Sequence, residues 1–348
     1  MQPKKNIKLL PLAAILLAIA IIAGCGTANN ASPNSSPSSA EGSSASPEAS
    51  KSADGVQVNV EASQIGPILI AKEKGFFEEE FAKYGATVSY QTLQSSSQFL
   101  EAIASNRLDF ARIGYVGAIT GQAANVDFKL LSEGSDGAGD GILVQKDSPV
   151  KSVKDLKGKK VAVAKGSSSW GLLLRALAKE GMTTSDIELI NLLPDEAQGA
   201  FQSGQVDAWG VWEPHRTNQV NTNGATIIAD SKIIDAYTPG YNIARTKFTE
   251  EHPDLVIAYL TAYEKALQWE KEHFDEAISL LATIKKLDEE TVRISLKNNV
   301  DLNNPVSDKA TESQQVTADI LLELGEIKEK LDVSKVVDNS FINKALGK

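Results

Sequence analysis

The segment Lys165-Gly166-Ser167-Ser168-Ser169-Trp170-Gly171 carries the strongest chemical signal in the chain. It joins an apolar run, Lys160-Val161-Ala162-Val163-Ala164, to a helical pattern over 167–180. Glycine lets a backbone approach a ligand closely, and serine favours the N-cap of a helix. A helix start leaves its first N–H groups without intrahelical partners and carries roughly half a positive charge. With three hydroxyls added, Gly166, Ser167, Ser168 and Ser169 form a candidate anion cradle. The plainer alternative is one N-capping serine beside two solvated ones. The Walker pattern is missing, which disfavours a nucleotide phosphate.

A nucleophilic serine fits poorly, because the elbow it needs is Gly-x-Ser-x-Gly. Ser168 has Gly166 before it but Trp170 after, and Ser169 has Gly171 after it but Ser167 before. The histidines available as bases are His215, His252 and His273, of which the last two sit in a polar helical tail and read as surface residues. Asp136-Gly137-Ala138-Gly139-Asp140-Gly141 superficially resembles a calcium loop. Its third position is Ala138, however, Asp147 stands where a glutamate is needed, and Ile142-Leu143-Val144 reads as a strand. A glycine-rich connection is expected there, and neither a metal nor a cofactor is implied.

The second signal is Val206-Asp207-Ala208-Trp209-Gly210-Val211-Trp212-Glu213-Pro214, a strand ending in a turn. Trp212, at the strand's end, is placed to face a cleft and cover an apolar ligand body. Trp209 lies within the strand and is expected in the core. Glu213 precedes a proline and reads as a hinge or cap residue, with ligand contact as the alternative.

These segments sit in a body, 56–348, long enough for two domains. Its first block reads as a strand at 56–60, a helix after Gly66-Pro67 continuing into an acidic turn to Gly85, a strand at 87–93, a helix at 95–106 and a strand at 108–113. A second block repeats the rhythm with strands at 160–164, 187–192, 205–211 and 226–229 and helices at 167–180 and 197–203. From Pro253 onward the pattern becomes long amphipathic helices. Strand-helix-strand repeats imply parallel sheets, so the expected class is α/β, two doubly wound sheets with a helical C-terminal extension. Ligands of such sheets bind beyond the carboxyl ends of the strands, here between the two domains.

Before the body lies a leader with Lys4, Lys5 and Lys8, then an apolar run closing on Ile22-Ala23-Gly24-Cys25. It reads as a lipoprotein signal peptide over 1–24, with the chain's one cysteine, Cys25, as the lipidated residue. Residues 25–55, rich in Ser, Ala, Pro, Asn and Gly, read as a disordered linker to the membrane. The expected place is therefore outside the cell membrane, anchored to it by lipid. A net charge of −10 disfavours a nucleic-acid partner.

Taken in order, Ile70-Ala71-Lys72-Glu73-Lys74-Gly75-Phe76-Phe77, Asn106-Arg107-Leu108-Asp109-Phe110, Ser152-Val153-Lys154-Asp155-Leu156-Lys157-Gly158, the serine segment with its leucine-rich helix, and the Trp212 segment resemble aliphatic sulfonate-binding proteins of ABC importers. The wider group includes taurine- and nitrate-binding proteins. The resemblance implies a monomeric two-lobed clamshell that hands a small organic anion to a membrane permease. Its lobes would be 56–140 with 237–348, and 141–236, with crossovers near 141–145 and 230–241. The resemblance makes Gly166, Ser167, Ser168 and Ser169 the anion-binding segment and Trp212 with Glu213 the second cleft segment, while Gln64, Ile65 and Gly66 are the first lobe's candidates. This chain has Gly114-Tyr115 where many of these binders carry a small hydroxyl or acidic residue near the glycine. Tyr115 either donates to the ligand or fills space, and Arg112 is a possible counter-ion whose direction strand parity does not settle.

A sulfonate is a full monoanion at neutral pH with acceptor oxygens only, which a cradle of N–H and O–H donors satisfies. A carboxylate in that cradle would instead select ligands that still carry a proton, because an ionised carboxylate accepts but cannot donate. Nitrate, taurine or another anion remains open on the residues alone. So does an enzyme of the same bilobal fold acting on a pyrimidine or quinone precursor, although no convincing base, metal or electrophile is present for it.

Overall fold

The structure is a computed structural model and describes residues 53–348. Cys25, the leader and most of the expected linker lie outside the described residues. The end of that linker is part of the folded body, since the Ala53 N–H donates to the Tyr84 carbonyl at 2.9 Å and Ala53 is buried.

The first block comprises β1 (Gln57–Glu61), α1 (Pro67–Glu73), α2 (Phe76–Ala82), β2 (Thr87–Gln91), α3 (Ser96–Ala104), β3 (Phe110–Gly114), α4 (Tyr115–Ala123) and β4 (Phe128–Ser135). The second comprises β5 (Gly141–Val144), β6 (Lys160–Val163), α5 (Ser168–Lys179), β7 (Glu188–Asn191), α6 (Pro194–Gln202), β8 (Ala208–Val211), α7 (His215–Asn223), β9 (Thr226–Asp230) and α8 (Ser231–Ile234). The third comprises β10 (Gly240–Arg245), α9 (Thr246–Glu251), α10 (Pro253–Glu272), α11 (Phe274–Lys285), α12 (Glu289–Asn298), β11 (Asp301–Asn304), α13 (Asp308–Glu323) and α14 (Ser340–Ala345).

One sheet has the order β11-β4-β10-β3-β1-β2 and the other β7-β6-β8-β5-β9. The chain leaves the first sheet after Ser135, enters the second at Gly141, and returns through 231–239 to Gly240. The first passage therefore precedes the expected 141–145, which is strand β5, paired antiparallel with β8 and β9. Nor are the sheets purely parallel. β1, β2 and β3 run parallel, as do β6, β7 and β8, but β10 and β5 oppose their neighbours. The reason is geometric: a strand entering from the gap between sheets runs opposite to strands that end there.

Local chemistry sets the helix starts. Ser95 accepts from the Gln98 N–H and Ser167 from the Trp170 N–H, capping α3 and α5, and Pro67 opens α1, where a missing N–H costs nothing. Several elements depart from the sequence pattern. Helices α4 and α7 have no counterpart in the expected pattern, and β8 begins at Ala208, not 205, because the Gln205 N–H turns back to the Ala200 carbonyl at 2.9 Å.

One face of the first sheet packs on a core containing Phe77, Tyr259 and Phe110, stacked in that order at 5.3 and 4.1 Å. A second core is shared by both sheets: Ile113, Val116 and Ile119 join Trp170, Leu173 and Leu177. Trp209 is buried against Phe201 in a third, as expected for a strand interior. Helix α13 packs on both α4 and α5, so it ties the two sheets together.

The two passages touch where Gly137, at φ 71°, lies against Thr238, and an added Cβ would sit 1.6 Å from the Thr238 carbonyl oxygen. Gly137→Ala should therefore destabilise the protein by about 2 kcal/mol or more, combining a left-handed backbone penalty with a clash against rigid main chain. A urea midpoint unchanged from the parent would refute this.

Candidate functional site

A cavity of about 310 Å³ lies between the carboxyl ends of the two sheets. The chain passes from strand to helix at the same edge in both sheets, so helix starts converge on it. Gln64 and Ile65 line it just ahead of α1, Ser95 and Ser96 at α3, Gly114 at α4, Ser167 and Ser168 at α5, Pro194 and Asp195 at α6, and Pro214 and His215 at α7. Each helix start contributes partial positive charge and N–H groups without intrahelical acceptors. Six such ends gather N–H groups and partial positive charge around one cavity.

The serines are arranged differently from a bare cradle. Ser167 caps α5, and the N–H groups of Ser168 and Ser169 come first in that helix. Their hydroxyls, however, both donate to Oδ1 of Asp140, Ser168 at 2.8 Å and Ser169 in a shorter contact. Asp140 closes the 136–140 passage, is only 4 % exposed and lines the cavity. Burial raises its carboxyl to about 6, against the lowering effect of the two hydroxyls and of Arg216. A carboxylate thus stands in the serine cradle. Ser169 and Gly166 do not line the cavity; Ser167 and Ser168 do.

Where α3, α4 and α5 begin, the two sheets meet. The Gly114 N–H donates to Ser96 Oγ at 3.4 Å, and a Cβ on Gly114 would lie 2.7 Å from that of Ser168. Tyr115 turns away from the cavity and is buried between α4 and α5, with its hydroxyl beside Gly171, so it fills space. Gly66, at φ 108°, lies outside the lining, beneath the Asp301 carboxylate. Gln64 does line the cavity, but its side chain is held by the Arg112 carbonyl and by Glu61. Arg112 is committed as well: Asp301 pairs with its guanidinium, which also donates to the Ile65 carbonyl and to Gln64, both at 3.3 Å.

On the opposite wall Trp212 is half-buried and lines the cavity, edge-on to His215. Burial, with Lys285 nearby, pushes His215 down to about 4, so it is a neutral ring near pH 7. Glu213 acts as the cap that its position before a proline suggests. It accepts from the Thr217 N–H at 3.0 Å and the Thr217 hydroxyl at 2.8 Å. It also reaches across to α12, accepting from Ser295 Oγ at 3.1 Å and Asn298 Nδ2 at 2.9 Å. Ser96, Asp140 and Lys285 were not assigned to the site on sequence grounds. Ser96 was findable, because Ser95-Ser96 starts a helix after a strand just as Ser167-Ser168 does. Lys285, whose ammonium donates to the Ser63 carbonyl at 2.9 Å, comes from the far end of a tail helix and leaves no local signal. Among the described residues no cluster of His, Cys, Asp or Glu is placed to hold a metal ion.

The NMT1/THI5-like family profile matches residues 62–277. The chain belongs to the NMT1/THI5-like family. Within the family it is 42 % identical over 96 % of both chains to a Bacillus subtilis protein named for aliphatic sulfonates binding. It is 30 % identical, over 82 % of this chain and 89 % of the other, to an Escherichia coli protein of the same designation. The alkanesulfonate-binding protein of Xanthomonas axonopodis pv. citri, solved with MOPS bound, superposes with a TM-score of 0.75 at 26 % identity, over 82 % of this chain and 99 % of that one. The resemblance read from the sequence and the α/β binding-protein fold are both borne out.

Two consequences of this geometry can be measured. Because the folded state holds the Asp140 carboxyl near 6 and an unfolded aspartate titrates near 3.9, stability from this group is full below the lower value and lost as pH rises through the higher. Asp140→Asn should be more stable than the parent by about 1–3 kcal/mol at pH 7.5, the gap shrinking toward pH 4; a gap independent of pH in paired melts would refute it. Glu213→Ala leaves Thr217, Ser295 and Asn298 without their acceptor and should cost about 2–4 kcal/mol. Glu213→Gln, which keeps one acceptor oxygen, should cost less, and denaturant titration of the three proteins gives the ranking.

Proposed function

We propose that this family member is a solute-binding lipoprotein outside the cell membrane that captures an aliphatic sulfonate and delivers it to an ABC permease. In this reading Cys25 carries the lipid anchor, the protein works as a monomer, and 56–140 with 237–348 forms one lobe and 141–236 the other. It is a binding protein, not an enzyme. The observation that carries it is the convergence of six helix starts on a cavity with an apolar wall at Trp212 and Phe99. A sulfonate presents three acceptor oxygens and one negative charge, which neutral N–H and O–H donors satisfy, while its alkyl body lies against the aromatic wall. The 42 % identical relative is named for aliphatic sulfonates binding, which supports the ligand class. Nitrate and taurine share the anionic end and are the competing ligands.

Calorimetric titration of the purified chain with ethane-, butane- and octanesulfonate, taurine and nitrate tests the proposal. Affinity should rise along the alkyl series, since each buried methylene is worth about 0.8 kcal/mol, and Trp212→Ala should flatten the rise. A preference for nitrate over every sulfonate would overturn the substrate, and no binding of any anion would overturn the reading altogether.

A further inference from the structure

We propose that Asp140 couples anion capture to proton uptake: the carboxylate that shares the start of α5 with the sulfonate takes a proton as the anion enters. This rests on the reading of the cavity as a sulfonate site. Its geometric basis is the pair of hydroxyl bonds from Ser168 and Ser169 to Oδ1, which place the carboxylate at the helix end where an anion would be drawn. Among the described residues Oδ2 accepts no hydrogen bond, and Asp140 forms part of the cavity wall. Two like charges at one helix end disfavour each other's ionised form, and the sulfonate cannot take the proton.

The charged groups around Asp140 offer no substitute. Arg216, from α7, is the cation packed against it, but its Nη1 donates to the Ala138 and Asp140 carbonyls at 2.9 and 3.2 Å. The rest of that guanidinium lies between Glu213 at 3.8 Å and Asp230, from β9, at 3.7 Å. From α4 comes Tyr115, whose hydroxyl burial keeps protonated. On α5 itself Arg175 is turned to Thr317 and Ser313 of α13. His215, pushed down to about 4, does not titrate between pH 5 and 8. Protonation also changes what the cradle offers. A neutral carboxyl can donate, and it no longer requires both serine protons, so a hydroxyl is released to turn toward the ligand. The carboxyl's position near 6 places this proton within reach at neutral pH.

The test titrates ethanesulfonate, which does not ionise in the range, into the full chain between pH 5 and 8.5. Buffers must be free of sulfonates, given that a structural neighbour was solved with MOPS bound. Affinity should weaken as pH rises above 6, by at most about tenfold per unit, the limit for one linked proton. Binding at pH 7 in buffers of different ionisation enthalpy should show net uptake of a fraction of a proton, a measurement that needs no variant. Asp140→Asn should bind with a flat pH profile and more tightly than the parent at pH 8. A flat profile in the parent, an absence of proton uptake, or binding that tightens with rising pH, as an ammonium-bearing ligand on an ionised Asp140 would produce, overturns the inference and leaves the sulfonate site standing. No heat with ethanesulfonate or any longer sulfonate at any pH overturns both.

Discussion

Everything at this site depends on one constraint: strands of both sheets end at the same gap, so the helices that follow them start there. A helix start is the one part of regular structure with N–H groups left over, and its dipole adds to them. Convergence of six of them gathers N–H groups and partial positive charge around a cavity inside a chain whose net charge is −10. Summed charge and local field are different quantities. β5 and β10 run against their neighbours for the same reason, since each enters its sheet from the gap.

The region after β10 does more than extend the first sheet. Helix α13 packs on α4 and α5, and Arg175 of α5 is fixed to it through Thr317 at 2.9 Å and the Ser313 carbonyl at 2.7 Å. Helix α12 supplies Ser295 and Asn298 to Glu213 at the other side of the cavity. The gap is thus flanked by two polar connections, both made by C-terminal helices to the second sheet. Glycines allow the remaining closeness: at Gly171 a Cβ would lie 2.2 Å from Val116 and at Gly114 it would meet Ser168, so α4 and α5 approach nearly backbone to backbone.

Elements with strong periodicity and a capping signal were legible in the sequence. The 167–180 helix behind its serines, the 95–106 helix and the buried Trp209 strand all occur, within a few residues at their ends. Helix α4 was not, because Gly117 and Gly121 lower helix propensity. Those glycines are there because Ser96, Leu100 and Phe128 leave no room for a side chain. The strand-to-helix junction that brings Ser167 and Ser168 to the cavity was legible, but the groups packed beside it were not. Asp140 looked like part of a glycine-rich connection. Only the passage between sheets brings its carboxylate to hydroxyls twenty-eight and twenty-nine positions later in the chain. Tyr115 and Gly66 fail as wall residues for the converse reason: neighbours distant in sequence, Gly171 and Asp301, occupy the space they would have faced.

The acids near the cavity differ in how they are satisfied, and that difference bears on which anion the site can hold. Asp301 has a guanidinium, Glu213 has hydroxyl, amide and N–H donors from two elements, and Glu61 has Ser63 and Gln64. Asp140 has two hydroxyls, and its nearby cation, Arg216, is shared with Glu213 and Asp230. The cations that line the cavity are engaged by protein groups, Arg112 by Asp301 and Lys285 by the Ser63 carbonyl. Under the proposed function the ligand is therefore met by neutral dipoles, whose attraction suits one negative charge. A dianion such as sulfate would bring a second charge beside Asp140 without a second source of compensation. In that reading the site discriminates by charge number before it discriminates by shape, and the alkyl chain against Trp212 decides among the monoanions that remain.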